Sequence, residues 1–187
     1  MANHTKRIIL EEFQCMLKEM PFDKITVSAL VKRCEISPNT FYYHYQDIFS
    51  LLDDWLVQWL GNIIKGRSTL DHWQEAVKAL LYECKAQPQI INHVLAGLSR
   101  ERIERALFSL SDDWFYDLVR QRAEGETIND KKLRDIAAFC RYAFIGFFLQ
   151  FVWMHMAVDV ENAVDELSGY FHCFVQAAIQ NAGQKIT

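Results

Sequence analysis

The stretch CEISPNTFYYHYQDIFSLLDDW, Cys34 to Trp55, decides how the rest of the chain is read. Its start chemistry is that of a helix. Ser37 is placed to accept a hydrogen bond from a first-turn amide, and Pro38 falls at the next position, where a missing N–H costs nothing. Ile36 before the cap and Phe41 inside the first turns are spaced to pack as a hydrophobic staple. Phe41 and Tyr45, four apart, share the face that packs inward. Asn39, Thr40, Tyr42 and Tyr43 are left on the other side.

Upstream, Asn3 to Met20 carries Ile8, Ile9, Phe13, Met16, Leu17 and Met20 at helical spacing, and Pro21 stops it. FDKITV is a connector, and Thr26 caps a second short helix that turns Leu30, Val31 and Cys34 inward. Two short helices joined by a tight turn, braced by a longer one, describe a helix-turn-helix. They equally describe a three-helix corner of any α-protein, and spacing alone leaves both open.

Downstream the pattern stays helical: roughly Asp47–Lys65, Leu70–Ala86, Gln89–Ser99, Glu101–Ala123, Lys131–Met156 and Val160–Asn181. KGRSTLD, AQP and EGETIND are the breaks. The expected fold is all-α with about nine helices, divided by role into residues 1–47 and 48–187. Only seven Gly and three Pro, with 51% hydrophobic residues, fit long helices around a substantial core. The apolar run Tyr142–Val158 is short for a bilayer and holds Gln150 and His155, so a core or interface helix is expected rather than a membrane span.

The five cysteines are odd in number and far apart, without metal-ligand spacing, which reads as reduced thiols in a cytoplasmic protein. No phosphate loop, HExxH or GxSxG occurs, and Asp53-Asp54 and Asp112-Asp113 read as solvated charges. No enzyme, metal or cofactor is expected. Net charge is −4, but residues 1–50 balance six Lys/Arg against six Asp/Glu. The acidic excess therefore lies in the remainder, and the first fifty residues carry no concentrated basic patch.

The segment ITVSALVKRCEISPNTFYYHYQDIFSLL resembles the DNA-binding region of the TetR/AcrR family of helix-turn-helix regulators. Thr26, Val27, Leu30, Val31, Cys34, Ile36, Ser37, Thr40, Phe41, Tyr42, His44, Tyr45, Leu51 and Leu52 fill that family's progression. The resemblance implies a dimeric regulator of transcription on a palindromic operator, repressing by default. It implies that Thr26 meets a phosphate and that Ser37, Pro38, Asn39 and Thr40 open the recognition helix against DNA. Tyr42 and His44 resemble a phosphate-clamping pair, Tyr43 can touch backbone or thymine, and Ser28 is a further contact. Asn39 is the best base reader by chemistry, since an amide pairs both N6 and N7 of adenine.

The chain departs from the family at Ile48, where many members carry a phosphate-gripping lysine; Lys6, Arg7 or Lys24 would have to compensate. The family also implies an effector cavity, for which Trp59, Trp73, Tyr82, Phe108, Trp114, Phe115 and Cys140 are the candidate lining of an apolar or aromatic ligand. The last two helices would pair with a second copy through Phe144, Phe147, Phe148, Phe151, Val152, Phe171, Phe174 and Val175. The alternative is a helical module, or a co-regulator, that acts through a protein partner without reading DNA.

Overall fold

A computed structural model describes residues 2–65 and 72–183. Among them are nine α-helices, one 3₁₀ turn (Phe22–Lys24) and no strand. The helices are α1 (Ala2–Glu19), α2 (Val27–Arg33), α3 (Pro38–His44), α4 (Ile48–Ile64), α5 (Trp73–Ala86), α6 (Pro88–Ala96), α7 (Arg100–Arg122), α8 (Asp130–Trp153) and α9 (Val160–Gly183). The expected break at KGRSTLD falls largely on residues 66–71, outside the described residues.

The chain forms two compact units. The first joins residues 1–62 to 86–103, and the second joins 63–85 to 104–187. By packing, then, the first unit runs well past residue 47. Leu51, Leu52 and Trp55 of α4 share one buried core with Ile9, Phe13, Leu17, Leu30 and Phe41. Ile90 and Val94 of α6 complete it, and the His93 ring Nδ1 meets the Leu17 carbonyl at 2.8 Å. Gly97, at the end of α6, lies so close to the 3₁₀ turn that an added Cβ would sit 2.6 Å from the Asp23 amide nitrogen.

Across α1 and α2, Arg33 makes a two-pronged pair with Glu19 at 2.6 and 2.9 Å and a third bond to Glu12 at 3.2 Å. This clamp fixes the short helix against the long one. The turn that follows α2 is a Schellman motif. The Ile36 amide donates to the Val31 carbonyl and the Glu35 amide to the Lys32 carbonyl, while Glu35 takes a left-handed φ of 54°. Glycine is the usual residue there because a Cβ is unfavourable at positive φ. Glu35→Gly is therefore expected to stabilise the first unit by about 0.5–1 kcal/mol, read as a higher urea midpoint.

In the second unit, Phe115 and Val119 of α7, Ile136, Ala137 and Cys140 of α8, and Val175 and Ile179 of α9 form one core. Lys78 of α5 bridges Glu161 and Asp165 of α9 at 2.5 and 3.0 Å, and the Tyr82 hydroxyl donates to Glu161 at 2.9 Å. Helix α8 is long and apolar enough to cross a membrane by length and composition, yet Leu133, Ile136, Ala137 and Cys140 lie in this core. It ends at Trp153, earlier than the expected Met156, because His155 and Met156 both turn left-handed, with φ of 53° and 60°. Their amides donate back to the carbonyls of Val152 and Phe151.

The cysteines are all free; Cys15 and Cys173 are exposed, the other three buried. Burial pushes the Cys34 thiol up to about 11 and those of Cys84 and Cys140 up to about 12. Thiols so protonated are poor nucleophiles.

Candidate nucleic-acid interface

Both short helices begin with closed caps. Thr26 Oγ1 accepts the Ala29 N–H at 3.2 Å. Ser37 Oγ accepts the Thr40 N–H at 3.1 Å and also pairs with the Thr40 hydroxyl at 2.9 Å. Thr40 is thus partly engaged by the cap, and the two hydroxyls together retain one free hydrogen. Pro38 sits at the first helical position, exposed. Phe41 is fully buried and Tyr45 nearly so.

What remains outward is the set the sequence separated. Asn39 is exposed, and among the described residues its amide has no partner. Tyr42 is 57% and Tyr43 78% exposed, large values for aromatic side chains. His44 is half-buried, its ring edge-on to Tyr43 at 5.1 Å between centroids. Thr26 and Ser28 are exposed at the start of α2. Two short helices therefore carry polar and aromatic groups at the surface while their caps and core are satisfied internally.

The C-terminal end of α3 is tied to α4 and α1 through Asp54. The Tyr45 hydroxyl donates to its Oδ2 at 2.7 Å, Gln58 Nε2 at 3.1 Å, and Lys6 Nζ lies at 3.0 Å. Asp54 is thus a structural acceptor and not the solvated charge expected from its DD neighbour. Burial pushes the Asp54 carboxyl up, but its hydrogen bonds from Tyr45, Lys6 and Gln58 outweigh this and hold it below the ordinary range. Asp112 likewise pairs with Arg141. Asp47 starts α4 as a reciprocal cap, its Oδ1 accepting the Ser50 amide while its own amide donates to Ser50 Oγ.

The cations expected to compensate for Ile48 are all engaged: Lys6 with Asp54, Arg7 with Glu11, and Lys24 with Asp23. Lys32, on the last turn of α2, is exposed with no carboxylate partner among the described residues. Its signal in the sequence is slight: a lysine in a short helix with Ser28, and no acidic residue, four positions before it. Ile48 itself is half-buried and packs on the first unit's core, which accounts for an apolar residue there.

The expected effector residues divide between the two units, Trp59 in the first and the others in the second. Trp59 belongs to the first unit, stacked on Trp55. Phe115 and Cys140 are core, with Trp114 packed against them. Trp73 is buried beside Phe171, Phe108 is half-buried with its ring edge to Tyr142, and Tyr82 is surface-exposed and bonded to Glu161. Among the described residues, two buried donors in this unit lack a partner, Trp114 Nε1 and Arg141 Nε.

The residues of the expected dimer face differ in their exposure. Phe148, Phe151, Val152 and Val175 are buried within the chain, with relative exposures of 0–8%. Phe144, Phe171 and Phe174 pack on the second unit's core, and Phe147 is half-buried. Among the described residues, the large apolar side chains exposed on these two helices are Phe139, Tyr142 and Trp153 of α8 and Tyr170 of α9. Gly146 and Gly169 are also open, with nothing near a would-be Cβ.

A family profile described as a transcriptional regulator C-terminal region matches residues 71–173, more than half of the chain. No curated protein matches. The solved structure of the dihydroxyacetone kinase operon activator DhaS aligns with a TM-score of 0.65 and 15% identity, over 96% of this chain and 98% of that one. At that identity the likeness shows the fold alone.

Proposed function

This chain belongs to the TetR family of transcriptional regulators, and from that premise we propose that it is a homodimer reading a palindromic operator through α3. The observation that carries this reading is the exposed set Asn39, Tyr42 and Tyr43, with half-buried Thr40 and His44 beside them, on a helix whose caps and core are already satisfied. Asn39 reads a base edge; Thr26, Tyr42 and His44 hold backbone phosphates, with Ser28, Ser37, Pro38 and Tyr43 at the same surface. The first fifty residues are neutral overall, so hydrogen bonds and shape carry more of the binding than charge does.

One head covers too few base pairs to be selective, so two are set about one DNA turn apart, roughly 34–36 Å. The pairing surface is the outer stripe of Phe139, Tyr142, Gly146, Gly169 and Tyr170. Glycine in a helix interior costs about 0.5–1 kcal/mol relative to alanine, and close approach of a second backbone is a reason to keep it. Repression follows from operator occupancy overlapping a promoter. The related structure is named for an activator, so promoter placement decides the sign. A small effector held in the second unit would shift the head spacing.

Footprinting on the DNA upstream of the protein's own reading frame tests this. A protected inverted repeat supports it; no protection at low salt favours the module that works through a protein partner. A second measurement isolates Ile48. Ile48→Lys keeps an apolar stem over the core while adding a cation. It is expected to steepen the salt dependence of operator binding by about 0.9 per head, so about two for the dimer.

A further inference from the structure

In the first unit, α1 and α4 enclose an open cleft of about 660 Å³ lined by, among others, Lys6, Arg7, Leu10, Trp55, Gln58 and Trp59. That volume is in the range of small-ligand sites. Its wall holds the stacked pair Trp55 and Trp59, whose rings are nearly parallel at 16° with centroids 5.8 Å apart. Trp59 Nε1 is buried and has no hydrogen-bond partner among the described residues.

The charge around the cleft is also informative. Lys6 and Arg7 face it against a single lining carboxylate, Glu11. Arg7 holds Glu11 only through an exposed pair four residues apart on one helix, its side chain 62% exposed. Such pairs are weak, and a ligand carboxylate displaces them at little cost. Leu10 and the Trp59 indole present apolar surface; Gln58 and Asn62 present amides.

We propose that this cleft is a binding site for a planar aromatic acid, its ring against the Trp59 indole and its carboxylate shared by Lys6 and Arg7. The site lies in the head, apart from the second-unit effector proposed above. It has a route to the reading surface. Lys6 and Gln58 are the same groups that, with the Tyr45 hydroxyl, hold Asp54, and Tyr45 closes the end of α3. A ligand that draws Lys6 away loosens that closure, and operator affinity falls with it.

The test uses the full chain and naphthalene-2-carboxylate as probe, with naphthalene-2-carboxamide as its uncharged counterpart. The readout is the set of five tryptophan indole N–H resonances, with that of Trp59 assigned through Trp59→Phe. The carboxylate is expected to move the Trp59 resonance saturably, and the carboxamide to bind about tenfold more weakly. Arg7→Gln, on an exposed side chain that the fold does not need, is expected to weaken the carboxylate several-fold. Equal binding of the two probes, no saturable shift, or shifts confined to Trp73, Trp114 and Trp153 would overturn the proposal. This readout needs no DNA, so its failure and the failure of the operator reading are separable. Added to an operator titration, saturating carboxylate is expected to raise the operator Kd several-fold; an unchanged Kd removes the coupling to α3.

Discussion

Asn39→Ala, present in both heads of a dimer, is expected to weaken operator binding by about 2–6 kcal/mol, since one bidentate amide–adenine pair is worth about 1–3 kcal/mol. The side chain has no structural work to do in the free protein: it is exposed and unpartnered, and the α3 cap is made by Ser37. Alanine also suits the interior of a helix better than asparagine does. The loss should therefore appear in binding and leave the urea midpoint unchanged or slightly raised. Anisotropy titrations against the operator and a scrambled duplex at one salt concentration give the check. A base contact is lost on the operator alone, with an unchanged salt slope; equal loss on both duplexes would make Asn39 a backbone contact instead.

Gly97→Ala carries the largest expected loss of stability, about 2–4 kcal/mol. The residue has no unusual backbone angle, with φ of −88°. Its constraint is space: a Cβ there would lie 2.6 Å from the Asp23 nitrogen, 2.8 Å from Phe22 Cβ and 2.9 Å from the Phe22 nitrogen. Two of those three atoms are backbone, so no side-chain rotation relieves the overlap. Either α6 or the 3₁₀ turn must move, and Phe22 is buried in the core beneath Phe13. Gly61→Ala is the internal control. That glycine is exposed on α4 with nothing near its Cβ, and the substitution is expected to add about 1 kcal/mol through helix propensity alone. Opposite shifts in the urea midpoint from the same chemical change would identify packing as the cause.

Local chemistry made the reading head legible in the sequence. The Ser37 and Thr26 caps, Pro38 at the first helical position, and the inward pair Phe41 and Tyr45 each follow from rules spanning four or five residues. Much of what failed to read through depends on partners far along the chain. Nothing near Lys6 announces that Asp54 will hold it, and nothing near Gly97 announces the turn at Phe22. Helix α8 shows a different difficulty. It is apolar nearly all round, so periodicity could not say which stripe faces inward. Phe148 and Phe151 turned out buried, while Phe139 and Tyr142 lie outside. The end of the same helix was missed because His155 and Met156 adopt a conformation that only glycine or asparagine would have advertised.

The distribution of thiols makes the protein its own clock for opening. Cys15 and Cys173 are exposed and should react at once with a small alkylating reagent. Cys34 lies in the core of the first unit, and Cys84 and Cys140 are buried in the second. A buried, protonated thiol is alkylated only when its surroundings open, so its labelling rate reports that opening. Mass spectrometry after timed alkylation would thus follow the two halves of the molecule separately in one tube. Probe acid or operator DNA added to that reaction would show which half each of them holds shut.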